Sequence, residues 1–175
     1  MNSEEFLNTI LESSNYMNVM SSMNEFTRQY IKKLLMNIIL YVDPNISLGD
    51  ISFCDSYQLV HEISQEITGV PSAYSALDGN VKVLTAFAES YSNLGIAEFD
   101  SLCKEALLDF LNLHNGLFIV DLSEKNICEL SLSVPQQRDN YDLIPTNNTA
   151  LNGRITLIPV TFSYGTITFI LLKTA

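Results

Sequence analysis

Basic residues are scarce in this sequence. Its 175 residues include 9 Lys and Arg against 20 Asp and Glu, which gives a formal net charge of -11 at pH 7. No basic cluster stands out, and a phosphate backbone would repel such a chain, so we expect no nucleic-acid partner. A hydrophobic fraction of 47% with a charged fraction of 17% also excludes a disordered chain. The length suits a single folded domain over residues 1–175.

Long apolar segments and paired cysteines are also missing. The first residues lack the basic start and the apolar block of a signal peptide. The longest apolar stretch, residues 34–42, contains Asn37 and is too short to cross a bilayer. Cys54, Cys103 and Cys128 are widely spaced and form no CxxC pair, which is typical of reduced thiols. We therefore expect a cytoplasmic protein with no membrane partner.

The common catalytic motifs are absent. His61 and His114 are far apart in sequence and do not fall in zinc-binding spacing, so no metal site is predicted. The sequence contains no GxxxxGK[ST], GxGxxG or GxSxG motif, which argues against a phosphate-binding loop and a serine-hydrolase elbow. We interpret His114 as a histidine at a helix end that interacts with terminal carbonyls.

Apolar residues at four-residue steps predict the helices. Phe26, Tyr30, Leu34 and Ile38 recur in this way, and Asn24 is placed to cap their helix. The predicted helices are a first piece within residues 3–42, a second at 24–41, one at 80–92 capped by Asp78 or Asn80, and one at 97–114 closed by Asn115-Gly116.

After residue 116 the pattern changes to the alternation typical of strands. Strands that follow helices and are joined by hairpins predict an α+β fold, with a mainly antiparallel sheet packed against long helices. Residues 46–77 are less regular and predict strands at 51–55 and 66–70 around a short helix at 57–63. The other predicted strands are 117–122, 127–134, 154–162 and 166–173, with a polar loop at 135–153 and a hairpin turn at Ser163-Tyr164-Gly165.

A polar stripe runs along the helix predicted at 97–114. Glu105, Asp109 and Asn112 are spaced four and three apart, so they share one face, opposite the apolar residues. Such a stripe is usually a solvated surface. Here, however, Glu105 and Asp109 are like charges one turn apart, and Asp and Asn are poor residues for a helix interior. The composition of the stripe therefore indicates a function.

The spacing of these residues resembles the signature of the CheC/CheX/FliY chemotaxis phosphatases. Glu105 stands where the family has Asp or Ser, Asp109 where it has Glu, and Asn112 where it has Asn. Gly116 follows, and Pro135 lies 23 positions after Asn112, as the family proline does. The resemblance is clearest over residues 78–175. Because the chain has one such signature, it is similar to the CheX-like members.

The resemblance implies a CheX-like fold and a phosphatase that hydrolyses the aspartyl phosphate of a CheY-type response regulator. It implies that Asn112 positions the attacking water and that Asp109 pairs with a lysine of the regulator. Glu105 either contacts the regulator or is only solvated, and Gly116 and Pro135 have structural roles. The regulator would supply the Mg²⁺, and the chain would form a homodimer. The alternatives are a catalytically inactive module that binds the regulator and an oligomeric scaffold.

Overall fold

The protein consists of a layer of helices on one face of an antiparallel sheet. The computed structural model describes residues 1–125, 129–145 and 154–174. The helices are α1 (Ser3–Glu12), α2 (Tyr16–Val19), α3 (Glu25–Tyr41), α4 (Val81–Ser92) and α5 (Ser101–Lys125), with a 3-10 turn at Met20–Ser22. The strands are β1 (Ser47–Leu48), β2 (Ser52–Cys54), β3 (Tyr57–Gly69), β4 (Ala73–Gly79), β5 (Leu130–Leu132), β6 (Gln136–Leu143), β7 (Ile155–Phe162) and β8 (Gly165–Lys173).

Asparagine caps begin the two helices that the sequence predicts best. The side chain of Asn24 accepts a hydrogen bond from the backbone N–H of Thr27 at 2.8 Å, at the start of α3. Asn80 accepts one from the N–H of Lys82 at 2.8 Å, at the start of α4. Asn93 ends α4 in the left-handed conformation, with a φ of 53°. The predicted helices 24–41 and 80–92 are therefore confirmed.

Helix α5 is longer than predicted, and the strand predicted at 117–122 is wrong. The helix begins at Ser101 and continues through Gly116 to Lys125. Phe110, His114, Phe118 and Leu122 are all buried and continue the four-residue spacing across the expected end. Phe118 packs edge-on against Phe26 and Tyr30 of α3, at ring-centroid distances of 5.2 and 5.3 Å. Burial of this apolar stripe outweighs the cost of about 1 kcal/mol for glycine inside a helix.

Two predictions fail on the strand β3 and its partner. Residues 57–63, predicted as a short helix, belong to the 13-residue strand β3, which also contains residues 66–69 of the strand predicted at 66–70. Residues 136–143, predicted as part of a loop, form β6, which pairs with β3 from Ser64↔Gln136 to Tyr57↔Leu143. Strand β6 is polar because most of its side chains are exposed at the edge of the sheet, where charged residues discourage further pairing. Residues 146–153 of the predicted loop lie outside the described residues.

The remaining strand predictions are confirmed. Strands β7 and β8 form the hairpin predicted at 154–162 and 166–173, with Phe162 opposite Gly165. Strand β2 falls within 51–55, and β5 within 127–134, of which residues 127 and 128 are outside the described part. Within the described residues the sheet has eight strands, all paired antiparallel, which confirms the α+β class.

The sheet is curled, so that both of its faces are buried. Its strand order is β1-β7-β8-β4-β3-β5, with β2 also paired to β7 and β6 also paired to β3. Only Asp55 and Ser56 join β2 to β3, a span of at most about 11 Å. The same two strands would be about 19 Å apart in a flat sheet. The start of β3 therefore folds over the outer face, where Leu59 packs with Tyr74 and Ile170.

Helix α5 lies at the centre of the helical layer. It packs against α3, α4 and β3, and its buried residues join the main core. Phe87 of α4 contacts Phe110 of α5 at 4.9 Å and Phe169 of β8 at 6.3 Å, which ties the helices to the sheet. Among the described helices, none is both long and apolar enough to cross a membrane.

Candidate functional site

The polar stripe of α5 faces solvent, as predicted. Glu105, Asp109 and Asn112 are exposed, whereas Ala106 and Phe110 beside them are buried. The three side chains therefore lie on the outer surface of a helix whose opposite side is anchored in the core. A rigid helix is a better base for aimed side chains than a loop.

The Asn112 side chain is held from below by Gln65 of β3. Gln65 Nε2 donates a hydrogen bond to Asn112 Oδ1 at 2.7 Å and another to the backbone oxygen of Ser133 at 2.9 Å. Gln65 is only 2% exposed, whereas Asn112 is exposed, so these bonds lie at the boundary between core and solvent. The buried Gln65 side chain therefore fixes the position of the Asn112 amide oxygen.

Gln65 also connects Asn112 to the segment that contains Pro135. Ile67 pairs with Leu132 in β5, and Ser64 pairs with Gln136 in β6. Three residues of that chain, 133–135, therefore lie opposite two residues of β3, which is a β-bulge. Pro135 has no N–H to donate to the hydrogen-bond ladder of the sheet, and proline is therefore favoured at a bulge. The 23 positions that separate Asn112 from Pro135 are therefore the segment that leads from α5 to the bulge beside Gln65.

A chain of buried polar side chains lies behind Gln65. Asn115 Nδ2 donates to Gln65 Oε1 at 3.0 Å, and Ser75 Oγ donates to Asn115 Oδ1 at 3.1 Å. The hydroxyl groups of Ser75 and Tyr30 are 2.6 Å apart. Tyr30, Ser75 and Asn115 are completely buried. The chain links α3, β4, α5 and β3 and ends at the exposed Asn112.

Asp109 has its own partner on α4. The hydroxyl of Tyr91 donates a hydrogen bond to Asp109 Oδ2 at 2.6 Å, and the Tyr91 ring packs edge-on against Phe110 at 5.4 Å. Burial first, and then the hydrogen bond to Asp109, raises the pKa of Tyr91 well above its ordinary value. The phenol therefore stays protonated and restricts the rotamer of the carboxylate.

His114 does not lie at a helix end, so its predicted interaction with terminal carbonyls is wrong. It is completely buried in the middle of α5, where its Nδ1 is 2.9 Å from Asn37 Nδ2. Its ring lies between those of Phe110 and Phe118. Burial, followed by the charge of Lys33, lowers the pKa of His114 from 6.5 to about 3. The imidazole is neutral at neutral pH and belongs to the core.

Gly116 makes no close approach that would require glycine. A Cβ built at this position would meet no atom within 4 Å beyond its own helix turns, and its φ is helical. Among the described residues, no three His, Cys, Asp or Glu side chains are grouped so that they could hold a metal ion.

Solved structures of chemotaxis proteins resemble this architecture. A CheC-like superfamily protein from Shewanella sp. PV-4 has a TM-score of 0.70 and 13% identity, with 86% of this chain and 98% of that chain covered. The chemotaxis protein CheX from Desulfovibrio desulfuricans has a TM-score of 0.67 at 13% identity, over 86% and 99% of the two chains. This chain has the CheC/CheX/FliY fold. No protein-family model and no curated protein matches the sequence.

A third structure with the CheC/CheX/FliY fold contains a partner. It is a complex of CheX, CheY, BeF3 and Mg²⁺ from Borrelia burgdorferi, with a TM-score of 0.60 and 10% identity over 86% of this chain and 99% of that chain. All three likenesses cover 86% of this chain and so extend well before residue 78, where the clear sequence resemblance begins.

Sequence reasoning missed three residues that hold the signature side chains in place. Asn115 could have been found, because it is an asparagine inside an apolar helix, three residues after Asn112. Gln65 could not have been found, because residues 57–63 just before it were predicted as a helix. It is also 47 residues away from Asn112 in sequence. Tyr91 is 18 residues from Asp109, and the helix pattern alone does not pair them.

Proposed function

We propose that this protein is a phosphatase that hydrolyses the aspartyl phosphate of a CheY-type response regulator. The observation that supports the proposal most is the exposed Asn112 amide, which is held by a buried side chain on a rigid helix. Asp109 lies one turn before it on the same face. The fold is one in which a related protein, CheX from Borrelia burgdorferi, is found in a complex with CheY.

In this proposal Asn112 positions the attacking water. Hydrolysis of an acyl phosphate depends chiefly on a water held in line with phosphorus and on stabilisation of charge. With one lone pair of Oδ1 taken by Gln65, the second lone pair can accept a hydrogen bond from the water. The amide nitrogen remains a donor. Because an amide does not titrate, no shifted pKa is needed.

Asp109 anchors the regulator. A carboxylate at the surface of α5 can form a charge-assisted hydrogen bond with a lysine beside the phosphorylated aspartate. Tyr91 engages Oδ2, so the other oxygen remains an acceptor. Glu105, exposed one turn earlier, would add a weaker contact at the rim. The regulator itself supplies the phosphoryl group and the Mg²⁺.

The second candidate is a module that binds the regulator without turnover. It is favoured by one observation, that Asp109 is one methylene shorter than glutamate and is also held by Tyr91 on its own surface. The shorter side chain weakens the pair with the regulator's lysine unless the helix docks closer, and the hydrogen bond to Tyr91 competes with that pair.

Release of radiolabelled phosphate from a phosphorylated CheY-type regulator tests the proposal. The wild type should accelerate the release, and Asn112→Ala should abolish the acceleration while affinity for the phosphorylated regulator is kept, because the lost contact acts in the transition state. Asp109→Ala should weaken affinity as well. Asp109→Glu should retain activity. Asn18→Ala, at an exposed asparagine of α2, is the matched control and should behave as wild type.

Binding without acceleration by the wild type would establish the second candidate instead. Wild-type turnover by Asn112→Ala would show that another group positions the water.

A further inference from the structure

Gln65 is a buried amide with every hydrogen-bonding group of its side chain in use. It is 2% exposed and lies between α5 and the bulge at residues 133–135. Its two Nε2 hydrogens go to Asn112 Oδ1 and to the Ser133 carbonyl, and its Oε1 accepts from Asn115. A buried glutamine satisfied in this way is fixed in one orientation, because any other orientation would leave buried donors and acceptors unpaired.

The hydrogen bonds of the chain all run in one direction, from Tyr30 towards Asn112. Ser75 has one hydroxyl hydrogen and donates it to Asn115 Oδ1, so Tyr30 must donate to Ser75 across 2.6 Å. Burial raises the pKa of Tyr30 well above its ordinary value, so the phenol keeps its proton. Asn115 then presents Nδ2 to Gln65, and Gln65 presents Nε2 to Asn112.

A reversed Gln65 amide would face the wrong partners at each contact. Its Oε1 would meet the Ser133 carbonyl and the oxygen of Asn112, and its Nε2 would meet the Asn115 amino group. The carbonyl of Ser133 is available because the bulge interrupts the ladder between β5 and β6. The Ser133 carbonyl of the bulge and the hydrogen-bond chain from Tyr30 therefore both fix the orientation of the Gln65 amide.

We propose that Gln65 is the positioning residue of the site, which determines that Asn112 offers its remaining Oδ1 lone pair and its Nδ2 group to the substrate in one fixed orientation. This inference rests on the proposed phosphatase function. Gln65 does not touch the substrate; it acts through Asn112. Without it, the exposed amide could rotate, and water would be misaligned for a large share of the time, which would lower kcat and leave binding unchanged.

Gln65→Glu separates positioning from packing. Protonated glutamic acid keeps the contact that matters for Asn112, since its single O–H can donate to Asn112 Oδ1 while its C=O accepts from Asn115; only the bond to the Ser133 carbonyl is lost. The carboxylate can only accept, so it would turn the Asn112 amide around. Burial raises the pKa of such a glutamate. The rate of Gln65→Glu relative to wild type should therefore fall as pH is raised from about 6 to about 9.

The groups around position 65 are compatible with that pH range. Tyr30 lies at the far end of the hydrogen-bond chain, with the His114 ring 4.9 Å from its own. Tyr74 and Arg138 line the small cavity beside Gln65 with Glu66, which is exposed. Burial raises the pKa of Tyr30 and Tyr74 and lowers that of His114 to about 3, and the hydrogen bond to Glu62 raises that of Arg138. These four groups keep their charge while Glu at position 65 titrates.

Two further variants complete the experiment. Gln65→Met keeps the side-chain length without a donor or acceptor and should lower kcat by roughly tenfold to a hundredfold, with affinity for the phosphorylated regulator unchanged. Gln58→Glu makes the same chemical change at an exposed position of β3 and should follow wild type at every pH. A pH-independent ratio for Gln65→Glu, or wild-type kcat for Gln65→Met, would overturn the inference.

A measurement without the regulator keeps this inference apart from the proposed function. In the NMR spectrum of the wild type, the side-chain amide protons of Gln65 should exchange with water far more slowly than those of Gln58. Equally fast exchange would overturn the fixed orientation even if the protein is a phosphatase. Slow exchange with no phosphatase activity in the wild type would refute the proposed function and keep the Gln65–Asn112 arrangement.

Discussion

The hydroxyl of Tyr91 lies 2.6 Å from Asp109 Oδ2, so a tyrosine of α4 holds the carboxylate that we expect to anchor the regulator. The two residues come from helices that pack side by side, and Phe110 supports the tyrosine ring. Tyr91 thus limits where the short aspartate side chain can point.

Tyr91→Phe should weaken binding of the phosphorylated regulator by about fivefold, or roughly 1 kcal/mol, because Asp109 then has more rotamers to lose on binding. Fluorescence titration would measure the dissociation constant. Tyr57→Phe removes the same hydroxyl group from β3, away from the stripe, and is the control. Tighter binding by Tyr91→Phe would mean that the tyrosine restrains Asp109 in an unproductive position.

His114 should make stability depend on pH. Its pKa is lowered in the folded protein to about 3, from 6.5, so between these values the unfolded chain binds more protons. The free energy of unfolding should therefore fall as pH drops from about 6.5 towards 3, with a slope of up to about 1.4 kcal/mol per pH unit from this residue.

Urea unfolding at several pH values would measure that slope. His114→Phe is less stable overall, since Asn37 loses its partner, but it should lose this part of the slope. His61→Gln, at the partly exposed histidine of β3, should keep most of it. An unchanged slope in His114→Phe would contradict the prediction.

Gly116→Ala should stabilise the protein by about 0.5–1 kcal/mol, because alanine is a better helix former and a Cβ meets no neighbour there. Gly95→Ala is a matched control, as its Cβ also has open space but its φ is 75°, where alanine costs about 1 kcal/mol. The two variants should shift the urea midpoint in opposite directions. If Gly116→Ala lowers the midpoint, the glycine has a structural role that its surroundings do not reveal.

The homodimer that the family resemblance implies stays a prediction. Exposed strand edges, such as those of the outer strands of this sheet, need protection from unwanted pairing, and a second copy can provide it. Light scattering should give twice the mass of one chain at micromolar concentration. A single-chain mass at the highest concentration tested would contradict it.

Local chemistry was enough to predict several elements of this protein. The caps Asn24 and Asn80, the four-residue apolar spacing of α3 and the alternation in β7 and β8 depend on residues close in sequence. For the same reason the polar stripe was correctly placed on the outer face of α5. The chain also resembles the family whose fold the structure confirms.

Tertiary contacts decided the rest. The segment 57–63 becomes a strand because it pairs with β6, 78 residues away at His61↔Asp139, and the polar sequence of β6 is that of an exposed edge. Helix α5 continues past Gly116 because the side chains of Phe118 and Leu122 are buried in the core. The Asn112 amide is held by Gln65, which no local pattern pairs with it. Sequence periodicity records which face of an element is apolar, but a hydrogen bond between distant segments exists only once the chain has folded.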